Sequence, residues 1–486
     1  MLFNSLNFAL FLPAVFALYW FTGSKNMRLQ NILLLVASYF FYAFWDYRFL
    51  FLLMFSTFLD YSTGIKISEA KTIRRKKFWL WLSIIVNLGF LGVFKYYNFF
   101  TDSFSHMLSH VGLKSNFGAI DVILPVGISF YTFHGLSYII DIYKKRIEPT
   151  RDFIDYSVFV SFFPLLVAGP IERATHLLPQ IQKKRKFDYS QATNGLRQIL
   201  WGLFKKIVIA DNCAEYANMI FNNYTHYAGS VLVMGAIFFA IQIYCDFSGY
   251  SDIALGTARL FGIELIRNFA FPYFSRDIAE FWRRWHISLS SWFRDYVYIP
   301  LGGSKGSKLN QVRNIFVIFI VSGLWHGANG TFIIWGALNA LYFMPLLLLK
   351  RNRNNLEIVA QGKLLPGFTD LLKMGTTFAL TVFAWIFFRA ESVGLALNYI
   401  KGIFSRSILV VPKGEMFMGG SVNVAALVVL IVIFIVIEWL GREQQFAIAN
   451  TAVNWPKPLR WAFYFTVAIS IFYFTGVPQQ FVYFQF

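Results

Sequence analysis

The sequence predicts an all-α, multi-pass membrane protein, and three observations support this fold class. Of the 486 residues, 57% are hydrophobic and 20% aromatic, while 14% are charged, well below the quarter that is usual in globular domains. Apolar runs of about 16–22 residues recur along the chain, close to the roughly 20 that a helix needs to cross a bilayer. The runs lack the alternation of apolar and polar residues that membrane-spanning strands require.

The apolar runs predict ten full crossings within one membrane domain that extends over residues 1–486. The first run has no basic segment before it and no small-residue cleavage site after it, so we expect a retained span. The predicted spans are 8–22, 29–44, 49–64, 78–98, 120–140, 189–211, 229–247, 373–389, 422–440 and 458–476.

The net charge of +19 comes largely from Lys and Arg in loops between these spans, as in 66–77, 143–151 and 350–353. Such loops are typical of the cytoplasmic face, where they meet anionic lipid. These loops favour a membrane surface over a nucleic acid as the partner of the basic residues. With Lys25, Arg28 and these loops in the cytoplasm, the ten spans place both termini on the extracytoplasmic side. Two cysteines exclude a disulfide framework and a thiolate metal site.

Two segments do not fit as single crossings. Residues 153–169 are interrupted by Pro164 and Gly169-Pro170. Residues 313–349 would form a helix about 55 Å long, too long for one crossing, and basic residues flank both ends. We therefore expect a hairpin that enters from the cytoplasm and turns near His326, at "HGANG".

Residues 248–312 predict a cytoplasmic-side interfacial or re-entrant segment, because Phe and Trp alternate with Arg and Lys. A helix over 275–298 would carry one apolar stripe with a basic opposite face, which is typical of a helix that lies in the membrane interface. The residues of the stripe are Ile278, Phe281, Trp282, Trp285, Leu289 and Trp292.

His326 is the first candidate for chemistry. An imidazole in "VSGLWHGANG" (321–330) either donates to a backbone carbonyl within a core or serves as a base in a cavity, because neutral imidazole takes and gives protons near pH 7. Ionisable groups within a membrane are usually functional. His286 in "FWRRWHISLSSWF" is either an interfacial polar residue or a second polar group of the same cavity.

Other polar stretches are weaker candidates. "YCDFSGYSD" (244–252) places Asp246, Ser248 and Tyr250 at the end of a span, where they would cap a helix or face the cavity. No nucleophile elbow supports a Ser-His-Asp triad. "GGSKGSK" (302–308) does not match a phosphate-binding P-loop. The other histidines show no metal-ligand spacing, although His134 lies inside a predicted span.

Several long stretches together resemble the bacterial membrane-bound O-acyltransferase family, of the alginate O-acetyltransferase type. The resemblance covers essentially the whole chain and is most specific in "NFAFPYFSRDIAEFWRRWHISLSSWFRDYVYIPLGG" (268–303) and "SGLWHGANGTFIIWG" (322–336). The other matching stretches are 124–143, 167–181, 243–265, the opening 21 residues and the ending "FVYFQF".

This resemblance implies tilted helices around a funnel and a narrow tunnel, with His326 as the essential catalytic histidine and His286 as the second. It implies transfer of an acetyl group from a cytoplasmic thioester such as acetyl-CoA, with no bound cofactor or metal. The acceptor would be an exported, alginate-like polysaccharide, reached through an extracytoplasmic serine hydrolase-like partner, and the location the bacterial inner membrane. The residues expected along the substrate and donor tunnel are Trp325, Asn329, Asp246, Ser248, Tyr250, Trp282, Arg283, Arg284 and Trp285.

Within this scheme His326 acts either as general base or as a nucleophile that carries the acyl group. Arg283 and Arg284, with Lys305 and Lys308, are expected to attract the anionic donor. Three alternatives remain open: D-alanyl transfer to teichoic acid, a peptidoglycan O-acetyltransferase component, and a proton-coupled transporter with His326 as relay.

Overall fold

The computed structural model describes residues 1–23, 26–110, 124–167, 169–412 and 420–482. Within these ranges the regular elements are helical, and six helices are long and apolar enough to cross a membrane. The predicted fold class, a polytopic all-α membrane protein, is therefore confirmed. Lys25, the start of the predicted span 120–140 and the end of "FVYFQF" lie outside the described residues.

The chain folds as two compact units, and the first consists of residues 1–192 and 257–266. Its helices in chain order are α1 (Leu6–Gly23), α2 (Met27–Ala43), α3 (Tyr47–Glu69), α4 (Ile73–Leu91), α5 (Tyr97–His110), α6 (Ile128–Tyr143), α7 (Phe153–Ser161), α8 (Phe163–Leu166) and α9 (Ala174–Ile181). A π-helical turn over 92–96 joins α4 to α5.

The second unit consists of residues 193–256 and those from 267 onward. Its helices are α10 (Tyr189–Leu203, whose first residues belong to the first unit), α11 (Asp211–Asn222), α12 (Gly229–Leu260, whose last residues belong to the first unit), α13 (Ile278–Arg284), α14 (Ile287–Phe293), α15 (Lys308–His326), α16 (Gly330–Leu348), α17 (Phe368–Arg389), α18 (Val393–Ile403), α19 (Val424–Leu440) and α20 (Lys457–Tyr473). A π-helical turn over 204–210 joins α10 to α11.

Buried polar groups hold the helices of the first unit together. Asp60 on α3 is 1% exposed and accepts hydrogen bonds from Ser83 Oγ (2.6 Å) and Asn87 Nδ2 (2.8 Å), both on α4. A Cβ atom on Gly135 of α6 would overlap the Asp60 carboxylate, so this glycine allows α6 to approach α3 closely. Such internal pairing is needed because lipid offers polar groups no partners.

The interruption predicted in residues 153–169 is confirmed. α7 ends at Ser161 and the short α8 begins at Phe163, with Pro164 in its first turn. Asp152 caps α7 by accepting hydrogen bonds from the amides of Ile154 and Asp155. This segment is a broken, buried element and not a straight crossing.

Residues 313–349 lie in two helices with a break at the predicted turn, and these helices form the hairpin. α15 and α16 are each 19 residues long, about 28 Å at 1.5 Å per residue, and a short turn over 327–329 joins them. Their backbones meet closely: a Cβ atom on Gly323 would lie 2.2 Å from the carbonyl oxygen of Phe332. His326 therefore lies at the turn end of the hairpin, one helix length from Lys308.

The predicted single helix over 275–298 is wrong. The chain forms α13 and α14 with a break at Trp285 and His286, and His286 has φ 43° and ψ 55° in the left-handed region. The apolar stripe is largely buried in protein and does not face lipid: Phe281 and Trp285 are each 1% exposed. An amphipathic pattern is equally suited to a lipid surface and to a protein core, and here the core binds it.

The helix that contains the predicted span 229–247 is longer than that span. α12 continues without interruption to Leu260, so residues 248–260 extend the helix and do not begin an interfacial segment. Asp246, Ser248 and Tyr250 lie inside this helix and are buried. Buried ion pairs described below allow the helix to carry polar residues there.

Candidate active site

His326 occupies an aromatic enclosure at the C-terminal end of α15. The imidazole is 3% exposed, and its ring centre lies 4.9 Å from that of Trp325, 5.2 Å from that of Trp335 and 5.3 Å from that of Phe388. These contacts come from α15, α16 and α17, so three helices fix the position of the ring. The enclosure excludes bulk water, which strengthens electrostatic interactions inside it.

Gly327, in the turn after His326, leaves room for a neighbouring ring. A Cβ atom there would overlap the ring of Phe332, so a larger residue would require this buried ring to move. Asn329 then caps α16 by accepting a hydrogen bond from the amide of Thr331 (3.1 Å), and its Nδ2 donates to the carbonyl of Glu391 (2.7 Å). Asn329 thus anchors the turn to the end of α17.

His286 is held by Asn268, which was not predicted from the sequence to be a site residue. His286 Nδ1 lies 3.0 Å from Asn268 Oδ1, which also accepts hydrogen bonds from Ser288 Oγ (3.0 Å) and the Ser288 amide (3.4 Å). Because that oxygen accepts from Ser288, Nδ1 of the neutral imidazole carries the proton and Nε2 is the acceptor. Burial lowers the pKa of His286 to about 3, so the ring is neutral at physiological pH.

The structure brings the two predicted histidines to one tryptophan. The ring centre of Trp325 lies 4.9 Å from that of His326 and 5.9 Å from that of His286. Trp282 and Trp285 extend the same aromatic cluster, with Trp282 packed on Trp335 at 5.6 Å between ring centres. The interruption between α13 and α14 is what turns His286 toward this cluster.

A cavity of about 410 Å³, here called the basic-rim pocket, lies toward the end of the hairpin that is opposite the turn. Its walls are apolar, with Ile315, Phe319 and Phe343 among them, and Trp282 also lines it. Ser322, four residues before His326 on α15, lines it as well. The pocket therefore reaches to within one helical turn of the catalytic candidate.

Three cationic side chains surround the basic-rim pocket: Arg294, Lys350 and Arg353. They are exposed, whereas the apolar wall residues Ile315 and Phe319 are buried. From the sequence, the segment 350–353 was predicted to be a cytoplasmic loop with no role in binding. The sequence showed that basic residues cluster in this segment, but it did not show the pocket that they surround.

A second cavity of about 190 Å³, here called the turn-end pocket, lies beside the turn of the hairpin. Arg389 and Glu391 line it, and they follow Phe388, the residue that packs on His326. The aromatic residues of its wall are Phe221, Tyr224 and Tyr399. His326 thus lies between two pockets at opposite ends of the same hairpin.

The structure does not place Arg283 and Arg284 at either pocket. Arg283 donates to the carbonyls of Asn352 and Asn355, both at 2.8 Å. Arg284 is 8% exposed and forms an ion pair with Glu280 at 2.7 Å. This geometry favours a structural role, in which both residues fasten the segment after α16. Lys305 is exposed in the loop before the hairpin, and Lys308 is the exposed first residue of α15.

Asp246, Ser248 and Tyr250 form part of a buried network around two lysines. Lys206 Nζ lies 2.8 Å from both Asp246 and Asp211, and 5.7 Å from the ring centre of Tyr250. Ser248 accepts a hydrogen bond of 2.9 Å from the neighbouring Lys205. This network stabilises the π-helical turn against α12.

The sequence did not identify Lys205 and Lys206 as partners of these polar residues, although both lysines lie within the predicted span 189–211. Charged residues inside a span are costly unless they are paired, and this was the signal that would have found them.

His134 is a structural residue. It is 1% exposed, and its Nε2 accepts a hydrogen bond of 3.1 Å from the amide of Glu172. Among the described residues, His, Cys, Asp and Glu form no group of three that would hold a metal ion.

Comparison with known proteins identifies the family. Residues 146–383 match the model of the family described as MBOAT, membrane-bound O-acyltransferase family. A probable alginate O-acetylase of Pseudomonas aeruginosa is 40% identical over 82% of this chain and 73% of its own length. A peptidoglycan O-acetyltransferase of Helicobacter pylori is 33% identical over 100% of this chain and 98% of its own.

A more distant relative carries a different activity. A teichoic acid D-alanyltransferase of Bacillus subtilis is 32% identical over 44% of this chain and 57% of its own length. The two O-acetyltransferases therefore match much more of the chain than the D-alanyltransferase does. The chain is an O-acyltransferase and belongs to the membrane-bound O-acyltransferase family.

Proposed function

We propose that this protein transfers an acetyl group from a cytoplasmic thioester to a hydroxyl group of an exported or cell-surface polysaccharide, in a bacterial inner membrane. The observation that carries this proposal is the position of His326, enclosed by aromatic rings between two pockets at opposite ends of one hairpin. In this proposal donor and acceptor approach the imidazole from these two pockets, although His326 itself is not among the residues that line them.

The basic-rim pocket suits the donor. Its apolar walls match the uncharged arm of a thioester such as acetyl-CoA, and Arg294, Lys350 and Arg353 offer positive charge to phosphate groups. The basic loops indicate that this end of the hairpin is cytoplasmic. The proposed donor contacts are therefore these three basic residues, and no longer Arg283 and Arg284.

In the mechanism that we propose, His326 acts as a general base. The imidazole removes the proton of the acceptor hydroxyl while its oxygen attacks the thioester carbonyl. Collapse of the tetrahedral intermediate breaks the C–S bond, and the imidazolium returns the proton to the leaving thiolate, so an ester and a thiol are formed. The C-terminal end of α15 favours the imidazolium through the helix dipole, and the Trp325 indole is a neighbouring hydrogen-bond donor.

The acceptor hydroxyl belongs either to the polysaccharide itself or to a serine of an extracytoplasmic hydrolase-like partner that passes the acetyl group on. The proton transfers at His326 are the same in both routes. Peptidoglycan is a specific second candidate for the acceptor, because the Helicobacter pylori relative matches the full length of this chain. The lower coverage of the D-alanyltransferase argues against D-alanine as the transferred group.

The test is acetyl transfer by purified protein in proteoliposomes that contain labelled acetyl-CoA, with an oligosaccharide outside. His326→Gln should lower the rate at least 10²-fold, the lower range for general acid–base catalysis. His110→Gln, which changes an exposed histidine of the first unit, is the matched control and should retain the rate. Near wild-type transfer by the His326→Gln protein would refute the proposal.

A further inference from the structure

We propose that the turn-end pocket is an acceptor subsite that binds the carboxylate of an acidic sugar through Arg389. This inference rests on the proposed function, because it names the chemistry of the acceptor that His326 would serve. The pocket was not anticipated from the sequence, and the catalytic scheme above uses none of its side chains.

Arg389 is held in a fixed orientation at the end of α17. Its Nη2 donates a hydrogen bond of 2.8 Å to Asn218 Oδ1, and its guanidinium carbon lies 5.6 Å from the ring centre of Phe221. Phe221 stacks on Tyr399 with 4.3 Å between ring centres and an angle of 10°. The Tyr399 hydroxyl donates to the carbonyl of Leu232 at 2.7 Å. A guanidinium held in this way keeps a planar set of N–H donors that matches a carboxylate.

The pocket is coupled to the catalytic turn through the backbone. Phe388 packs on His326, and the next residue, Arg389, lines the pocket. On the other side of the turn, Asn329 donates to the carbonyl of Glu391, which also lines the pocket. A ligand anchored at Arg389 is therefore positioned relative to the imidazole by two short connections.

The size and lining of the pocket indicate a single sugar ring. Its volume of about 190 Å³ is below the roughly 300 Å³ at which sites for drug-sized ligands begin. Asn222, Tyr224 and the exposed Glu391 supply groups that would exchange hydrogen bonds with ring hydroxyls. The Glu391 carboxylate also interacts electrostatically with Arg389, so the sugar carboxylate would compete with it for the guanidinium. Uronates, and muramic acid residues that carry no stem peptide, are the carboxylate-bearing sugars of the polymers named for the relatives above, and they share this chemistry.

The experiment measures binding directly, with full-length protein in nanodiscs and three probes of matched length: an oligouronate, a muramic acid-containing oligosaccharide and a neutral oligosaccharide. At least one acidic probe should bind wild-type protein at least tenfold more tightly than the neutral probe. Arg389→Gln should remove that preference, and Arg389→Lys should retain part of it because the charge remains. Which acidic probe binds identifies the source of the carboxylate.

Arg406→Gln, a change at an exposed arginine of the same unit, is the matched control and should bind as wild type. A thermal unfolding curve for each variant separates loss of the subsite from loss of the fold, and the lysine variant gives a second reading if the glutamine variant unfolds.

Two results would overturn the subsite: equal binding of acidic and neutral probes to wild-type protein, or undiminished acidic preference in folded Arg389→Gln. Binding of a purified extracytoplasmic partner at Arg389, with no saccharide binding, would also overturn it. His326→Gln distinguishes the two proposals. This variant should still bind the acidic probe, because its subsite is unchanged. If wild-type protein binds the acidic probe but transfers no acetyl group, that result counts against the proposed function alone.

Discussion

Replacement of Asn268 by alanine tests whether His286 needs a fixed tautomer. Asn268 Oδ1 accepts from His286 Nδ1 (3.0 Å), Ser288 Oγ (3.0 Å) and the Ser288 amide (3.4 Å). At about 0.5–1.5 kcal/mol each, loss of the three hydrogen bonds destabilises the protein by about 3 kcal/mol. The left-handed backbone of His286 adds strain that these bonds now offset.

The same change should lower activity. Without the acceptor at Nδ1, the proton of the neutral imidazole is no longer confined to that nitrogen, so Nε2 ceases to be a dependable acceptor. We expect the rate of acetyl transfer to fall about 10²-fold, equivalent to about 2.7 kcal/mol in the activation free energy.

Asn268→Asp separates this effect from simple loss of packing. An aspartate keeps the acceptor but favours the imidazolium, so it should raise the pKa of His286 from about 3 and move the acid limb of the pH–rate profile upward by about 1–3 units. Transfer rates in proteoliposomes across pH, together with thermal unfolding, provide the measurement.

Asn87→Ala is the matched control for these two variants. It removes a buried amide of the first unit that bonds to Asp60, so it should lower thermal stability but leave the pH–rate profile of the folded protein unchanged. An Asn268→Ala protein with the wild-type rate, or an Asn268→Asp protein with the wild-type pH profile, would refute the reasoning.

Three further predictions concern stability. Gly323→Ala should separate the hairpin helices, because its Cβ would meet the Phe332 carbonyl oxygen, and should lower stability by about 1–3 kcal/mol; Gly375→Ala, in open space, is the control in thermal unfolding. Lys206→Met leaves two buried carboxylates without their cation and should cost about 3–5 kcal/mol, measured as loss of monodisperse protein in size-exclusion chromatography. Because folding lowers the pKa of His286 from 6.5 to about 3, protons favour the unfolded state, and stability should fall by about 1.4 kcal/mol per pH unit as the pH drops from 6.5 to about 3; His286→Asn should flatten this dependence in unfolding measured against pH.

Much of the fold follows from local properties of the chain. Spans were predicted because an apolar run of bilayer length is a property of consecutive residues. The hairpin over 313–349 was predicted for a similar reason, since its length, its flanking charges and the glycines after His326 are all adjacent in sequence. These observations also singled out His326 itself, because an ionisable residue within an apolar run is exceptional.

The partners of the polar residues follow from tertiary structure alone. The stripe that includes Phe281 and Trp285 has a pattern that suits lipid or protein equally, and only packing against the other helices of the second unit buries it and turns His286 inward. Asn268 bonds to a histidine 18 residues away, and the chain between them is not one regular element, so no local pattern predicts the pair. The sequence by itself determined the membrane class, the hairpin and His326, because length and hydrophobicity act locally. The tertiary structure decided which cations line a pocket and which are tied into loops, because burial and hydrogen-bond pairing depend on residues distant in the chain.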